Sequence, residues 1–336
     1  MPDVLPPPGH TPPDHDFGFD ATHGYDLDAL LQVESPEPPA DFEAFWRDTY
    51  AAALAVPPRP VLGESVAVDD DRYDVRTIDF NALGDDGTGT RRIGGWLAMP
   101  KDRPAAFGLV GSHGYGGRSE PGYLGLFDDR PPAILLPCAR GFHRSASPDL
   151  PDSADRHVVH GIEAKETYLH RGCVADIWAA VTALLELAPE TTGKTGYAGG
   201  SFGGGIGGLA TPWDDRIKRV WLDIPSFGNH PLRMQLPSGG SAASVRERWR
   251  RDPAVLDVLA YFDSATAARF ATAPTLVTPA VLDPAVAPAG QFAVFNALPC
   301  EKRCVCRDWA HVDWPNADDE RRLIDEPRAW LSPLAG

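Results

Sequence analysis

Ser201 sits in Gly199-Gly200-Ser201-Phe202-Gly203, a G-x-S-x-G match between the short run Lys194–Ala198 and a stretch of small residues reaching Leu209. A serine on such a strand-to-helix turn holds its hydroxyl clear of the sheet. The flanking glycines are needed because Cβ atoms there would meet the neighbouring strand and helix. A serine hydroxyl is a weak nucleophile at its own pKa. Acyl transfer therefore requires an imidazole to take its proton and a carboxylate to hold that imidazole. In a chain with 33 glycines the five-residue match alone also fits an ordinary turn, so the rest of the chain has to decide.

The partners follow in the order that an α/β-hydrolase requires: nucleophile, acid, base. Asp283 lies just past the buried run Pro274–Ala280, and His311 lies in the loop after Lys302–Arg307. His230, the other histidine beyond Ser201, precedes the acid and breaks the order. Asp308 and Asp313 are rival acids, but both are too close in sequence to His311 to reach the far side of its ring. An alternative role for Asp283 is to cap the turn before Pro284. Two backbone N–H groups should form an oxyanion hole. One is that of Phe202. The other is that of Tyr115, in the loop His113-Gly114-Tyr115-Gly116-Gly117 that follows the apolar run 106–112. His113, Gly114, Arg140 and Gly200 are expected to line the substrate pocket, with the Tyr115 and Phe202 rings as walls of a small acyl site.

These residues need a sheet to hold them. Pro36–Leu54 reads as a helix with Asp41 at its N-cap. Residues 61–99 read as an antiparallel hairpin at a sheet edge. Residues 106–112, Ala133–Pro137, Lys194–Ala198, Arg219–Ile224, Pro274–Ala280 and Lys302–Arg307 read as buried strands. They alternate with helices at Tyr168–Leu187, Val286–Leu298 and Ala317–Leu331. That alternation predicts an α/β fold with a mostly parallel, doubly wound sheet and a site at the carboxyl ends of its strands. The expected division is an extended arm over 1–35 and one hydrolase domain over 36–336, with a helical insertion over 225–270 placed to cap the site.

The composition excludes other classes. The chain has 336 residues, is 43% hydrophobic and carries a net charge of −16. That charge argues against nucleic acid and anionic membranes as partners. No apolar run reaches the length of a membrane-spanning helix, and the start lacks the basic and apolar regions of a secretory signal. Five cysteines at 138, 173, 300, 304 and 306 lack the spacing of a disulfide framework or a zinc site, so free thiols and a cytoplasmic setting are expected. His10, His15 and His23 in the arm lack cysteine partners and are read as idle rather than metal-binding.

Taken together, HGYGGR (113–118), ARGFHRS (139–145), YLHRGCVAD (168–176), GGSFGGG (199–205), YFD (261–263), the Asp283 segment and the His311 loop resemble the acetyl xylan esterase / cephalosporin C deacetylase family. PADFEAFW (39–46) resembles that family's N-terminal helix. The similarity runs from about residue 36 to the C-terminus and leaves 1–35 outside. It implies an α/β-hydrolase that removes acetyl groups from sugars or similar small alcohols without metal or cofactor, through Ser201, Asp283 and His311. It implies an oxyanion hole at Tyr115 and Phe202, and homo-oligomers, often hexamers. The chain departs from the family in having Phe202 where Gln is usual, Phe142-His143 in the R-G-Q-G segment, and Gly116 in place of Asn. Rival readings are a general short-chain esterase, a peptidase of the prolyl-oligopeptidase type, and a catalytically silent member of the fold.

Overall fold

The computed structural model describes residues 3–127 and 130–336. Its strands are β1 (Asp3–Leu5), β2 (Val61–Ser65), β3 (Tyr73–Leu83), β4 (Thr90–Pro100), β5 (Gly108–Ser112), β6 (Ala133–Pro137), β7 (Thr195–Gly200), β8 (Ile217–Asp223), β9 (Thr275–Thr278), β10 (Ala280–Leu282), β11 (Lys302–Val305) and β12 (Arg307–Trp309). Ten of them form one sheet in the order β1-β11-β9-β8-β7-β5-β6-β4-β3-β2. From β1 to β6 all neighbours run parallel, while β4, β3 and β2 add an antiparallel edge. This is the α/β-hydrolase arrangement. The central strands are buried on both faces, which is why β5 and β6 read as continuous apolar runs.

Alternate side chains feed two cores. Val110, Leu135 and Tyr197 join the larger one with Trp46 and Trp178. Leu109, Leu136 and Ala198 face the other, with Trp221 and Leu331. The helix Phe202–Ala210 is buried along its whole length, and the small-residue stretch makes that possible. A Cβ on Gly207 would lie 2.0 Å from the Tyr197 ring, and one on Gly203 would lie 2.8 Å from Ser112 Cβ. The helix Phe42–Leu54 is six residues shorter at its start than expected, because Pro36, Pro38 and Pro39 precede it. Asp41 stands at its N-cap position, but the carboxylate turns to Lys165 Nζ at 2.6 Å instead of capping.

Two strands read as single from the sequence are each broken in two. Pro279 separates β9 from β10, and Cys306 separates β11 from β12. Proline has no N–H to continue a ladder. Beyond the break the chain leaves the main sheet, and β10 and β12 pair with each other, Ala280 opposite Arg307 and Leu282 opposite Trp309. This two-stranded sheet carries Asp283 directly after one strand and Ala310-His311 directly after the other. The separation of Asp283 and His311 is therefore set by strand register.

The first residues are tied into this region. β1 lies along β11 as the outermost strand. Asp308 accepts the N–H groups of Gly9 (2.8 Å) and His10 (3.2 Å), and His10 Nδ1 lies 2.7 Å from it. Phe17, Phe19 and Ala21 close over Leu282 and Trp309, and Ala21 C=O accepts the Asp283 N–H at 3.2 Å. Within 225–270 lie the helices His230–Arg233, Gly240–Arg251, Val255–Leu259 and Ser264–Ala268. Their connection reaches the acid loop through Gly239 N–H, which donates to Pro284 C=O at 2.7 Å.

Candidate active site

β7 delivers Ser201 in a strained turn, with φ 53° and ψ −113°. A non-glycine residue holds this conformation only where its surroundings over-determine it. Here Ser201 N–H donates to Asp223 C=O at 2.8 Å, and Ser201 C=O accepts from Gly205 at 2.9 Å and Ser226 at 3.1 Å. Ser201 Oγ is 2.9 Å from His311 Nε2. His311 Nδ1 is 3.0 and 2.9 Å from Asp283 Oδ1 and Oδ2. The structure thus brings the three expected side chains into one hydrogen-bonded line. Asp308 is occupied with Gly9 and His10 on the arm.

Asp283 is fully buried. Its Oδ1 accepts the Ala285 and Val286 N–H groups, each at 2.9 Å, and its Oδ2 accepts Gln291 Nε2 at 2.8 Å. The aspartate therefore both holds its own Asp-Pro turn and faces the imidazole. Gln291 was not legible as a site residue. It lies on the helix Pro288–Ala297, fully buried, and its Oε1 accepts the Ala280 N–H at 2.9 Å. A lone glutamine among Phe292, Ala293 and Val294 is the one sequence signal that could have found it. Asp223 and Arg307 were also missed. The Arg307 guanidinium pairs with Asp223, whose carboxylate also accepts the Thr278 hydroxyl. Asp223 Oδ2 lies 3.4 Å from where a Cβ on Gly200 would sit, which places this carboxylate beside the turn that carries Ser201.

Burial acts to lower the His311 pKa, but the Asp283 hydrogen bond and charge outweigh it, and the net shift is upward from 6.5. An imidazole acts as a general base only when neutral. The acid limb of kcat/KM is therefore expected above pH 6.5, with activity rising through it toward a plateau. A pH–rate profile on a neutral ester checks this.

A cavity of about 500 Å³ opens over Ser201. His113, Gly114 and Gly200 line it as expected, together with Arg118, Tyr123 and Ile224. Arg140 does not. Its guanidinium is fully buried and forks onto Asp176 at 3.0 and 2.6 Å, with Asp85 at 2.6 Å and Leu83 C=O at 3.0 Å. It fills the space left by Gly172, whose Cβ would lie 1.9 Å from it. An arginine so paired holds the helix Leu169–Leu187 against β3 and cannot reach a substrate. Arg140→Met is expected to lower stability by about 3–5 kcal/mol, because it strands the Asp176 carboxylate in the interior. Urea unfolding at neutral pH reads this directly.

The rings expected to wall the acyl site also face elsewhere. Phe202 is 3% exposed and stacks inward on Tyr115, with ring centroids 4.3 Å apart. The Tyr115 hydroxyl is engaged by His157 and His170. In the chain Tyr115 and Phe202 directly follow Gly114 and Ser201. Gly114 approaches Ser201 so closely that a Cβ on it would lie 3.4 Å from Ser201 Cβ. Phe202 opens a helix, where the first N–H groups have no partner within the helix. His113 is held by Gly114 C=O at 2.7 Å and by the Ala139 N–H at 2.9 Å, and burial pushes its pKa down to about 4.

Several solved structures share the fold. Acetyl xylan esterase 1 from Thermoanaerobacterium sp. JW/SL YS485 superposes with a TM-score of 0.78 at 18% identity, over 95% of this chain and 100% of that one. Acetyl xylan esterase from Paenibacillus sp. R4 gives 0.75 at 23% identity, over 90% and 99%. Brefeldin A esterase, a bacterial homologue of human hormone sensitive lipase, gives 0.51 at 18% identity, over 91% and 90%. The family model described as acetyl xylan esterase (AXE1) matches residues 26–323. The chain belongs to the acetyl xylan esterase family and is a carboxylic ester hydrolase.

Proposed function

We propose that the protein removes acetyl groups from acetylated sugars or similar small alcohols through a Ser201–His311–Asp283 triad. The continuous hydrogen-bonded line from Ser201 Oγ to Asp283 carries this reading. His311 Nε2 takes the hydroxyl proton as Oγ attacks the ester carbonyl. Asp283 keeps the Nδ1–H tautomer and stabilises the imidazolium. The Tyr115 and Phe202 N–H groups receive the negative oxygen of the tetrahedral intermediate. His311 then protonates the leaving alcohol. Water, deprotonated in turn by His311, releases acetate from the acyl-enzyme.

Pro121, Tyr123 and Ile224 are the apolar side chains of the cavity, and we assign Tyr123 and Ile224 the limit on acyl length. Initial rates on p-nitrophenyl esters from acetate to octanoate test the assignment. The parent should prefer acetate. Ile224→Ala should raise the butyrate-to-acetate ratio by about tenfold, as expected for space worth one or two methylenes. An unchanged ratio would remove Ile224 from the acyl site. Equal rates across the parent series would favour a general short-chain esterase, and turnover of peptide amides a peptidase-like enzyme.

We further propose, on the family resemblance, that the chain works as a homo-oligomer, with light scattering as the check. The helices within 225–270 act on the site through Gly239 and the acid loop, and residues 1–35 act as a brace for the same loop. The five unpaired thiols, among them Cys304 and Cys306 with sulfurs 3.4 Å apart, suit a reducing cytoplasm.

A further inference from the structure

The three strongly packed polar rings behind the site, His157, Tyr115 and His170, take no part in the mechanism above. They come from three separate elements: the short helix Ala154–His157, the loop after β5, and the first turn of Leu169–Leu187. Both imidazoles are fully buried. Tyr115 Oη lies 3.2 Å from His157 Nδ1 and 3.1 Å from His170 Nε2. His157 Nε2 lies 3.0 Å from Arg140 C=O.

One fixed group settles every proton in this set. A carbonyl can only accept, so His157 Nε2 must carry a hydrogen. Burial keeps the ring neutral, with its pKa pushed down to about 4, so Nδ1 is a bare lone pair. The Tyr115 hydroxyl has one proton and gives it to that lone pair. Its oxygen is then free to accept, and His170 Nε2–H donates to it. This leaves His170 Nδ1 bare, and among the described residues that atom has no partner. In the opposite tautomer two imidazole lone pairs would compete for one hydroxyl proton, and a buried N–H would be orphaned instead. The order is therefore His170 Nε2–H to Tyr115 Oη–H to His157 Nδ1, ending at Arg140 C=O. Arg140 is itself fixed by Asp176 and Asp85.

The set also encloses the side chain of Phe202. That ring stacks on Tyr115 and lies edge-on to His157 at 5.7 Å and 87° and to His170 at 5.7 Å and 64°. Phe142, Tyr168, Phe227, His230 and Arg233 also surround the set. Both residues whose backbones meet the tetrahedral intermediate are thus rooted in one cluster. Within the loop the Gly117 N–H donates to Gly114 C=O at 3.0 Å, but Gly116 and Gly117 carry no side chain to hold it and Gly117 lies at φ 78°, so the Tyr115 side chain is the anchor between His113 and Arg118.

We infer that the His170–Tyr115–His157 relay is the positioning device of the oxyanion hole, fixing the Tyr115 N–H through its side chain and the Phe202 N–H through ring packing. The inference rests on the assignment of Tyr115 and Phe202 to that hole. These are positioning residues, so they should affect the transition state more than substrate binding.

The experiment compares the parent with Tyr115→Phe, His170→Leu and His170→Gln, using p-nitrophenyl acetate and methylboronic acid, whose serine adduct places an oxygen in the hole. Tyr115→Phe should lower kcat about tenfold with KM unchanged, a misplaced donor costing less than a missing one. Boronate affinity should fall by a similar factor. His170→Leu should fall in the same direction, and His170→Gln, which keeps an N–H for Tyr115 Oη, should recover most of the loss. Nitrogen-15 spectra of histidine-labelled parent should show both rings as neutral Nε2–H tautomers. Unchanged kcat and boronate affinity in folded Tyr115→Phe would overturn the inference, as would an Nδ1–H tautomer at His170. Thermal midpoints that fall while both kinetic readouts stay put would also overturn it, leaving a purely structural cluster. Labelling of the parent by diethyl p-nitrophenyl phosphate separates the two levels: if Ser201 is not labelled, the triad reading itself fails, whatever the relay variants do.

Discussion

Ser201→Ala is expected to lower kcat on p-nitrophenyl acetate by about a million-fold, the scale reached when the nucleophile of such a unit is removed. The fold should survive. Ser201 is held by its backbone, through Asp223 C=O, Gly205 N–H and Ser226 N–H, and alanine keeps all three bonds. Oγ contributes only its bond to His311 Nε2. The unfolding midpoint should therefore stay close to the parent's while turnover vanishes. Substrate binding should persist, since His113, Arg118, Tyr123 and Ile224 still line the cavity. Initial rates beside urea unfolding of the same preparation make the comparison. Residual turnover near the parent's would mean that another group attacks the ester.

Asp283→Asn is expected to cost about ten-thousand-fold in kcat, as the loss of a triad carboxylate does when an amide favours the wrong imidazole tautomer. The pH dependence gives a second, independent sign. In the parent, burial opposes protonation of His311, and Asp283 more than reverses that, so the acid limb stands above pH 6.5. Without the carboxylate charge only the lowering influences of burial and Arg307 face a reduced opposition, with Asp223 the remaining acidic neighbour. The acid limb of the residual activity should move to lower pH. A fall in kcat with an unmoved limb would mean that Asp283 orients the ring without raising its pKa. A limb that moves upward would contradict the assignment of His311 as the base. Asp283 also accepts from Ala285, Val286 and Gln291, and asparagine can keep the two backbone bonds through its oxygen. The change therefore keeps the turn while removing the charge and the Oδ2 acceptor that faces Gln291 Nε2 and the imidazole.

The chain order Ser201, Asp283, His311 was legible because each residue follows a buried apolar run, and a parallel sheet collects the carboxyl ends of such runs at one edge. The alternation of strands and helices gave the parallel sheet and its antiparallel hairpin for the same reason. What failed to show was whatever depends on contacts between distant segments. Pro274–Ala280 reads as one strand through Pro279, and nothing local says that the chain breaks there, that β10 and β12 then pair with each other, and that their register sets the distance between Asp283 and His311. Gln291 is one polar residue in an apolar helix, and only the folded chain places it against Asp283. Arg140 is expected at the substrate pocket from the sequence, and nothing local marks it as an interior ion-pair residue. Its true partners, Asp85 and Asp176, lie 55 and 36 residues away. The Phe202 and Tyr115 rings are expected as walls of a small acyl site. Each side chain turns the other way, as small glycine neighbours allow. The arm carried little periodicity, yet Phe17, Phe19 and Ala21 find an apolar surface that exists only once Leu282 and Trp309 are brought together.

The central claim is that Ser201 Oγ carries the acyl group, and covalent trapping tests it most directly. Parent enzyme is treated with diethyl p-nitrophenyl phosphate, residual activity is followed, and the digested protein is mapped by mass spectrometry. The account predicts one diethylphosphoryl group per chain, on the peptide containing Ser201, appearing in step with the loss of esterase activity. Full hydrolysis of p-nitrophenyl acetate by an enzyme that stays unlabelled, or labelling confined to another residue, would contradict it.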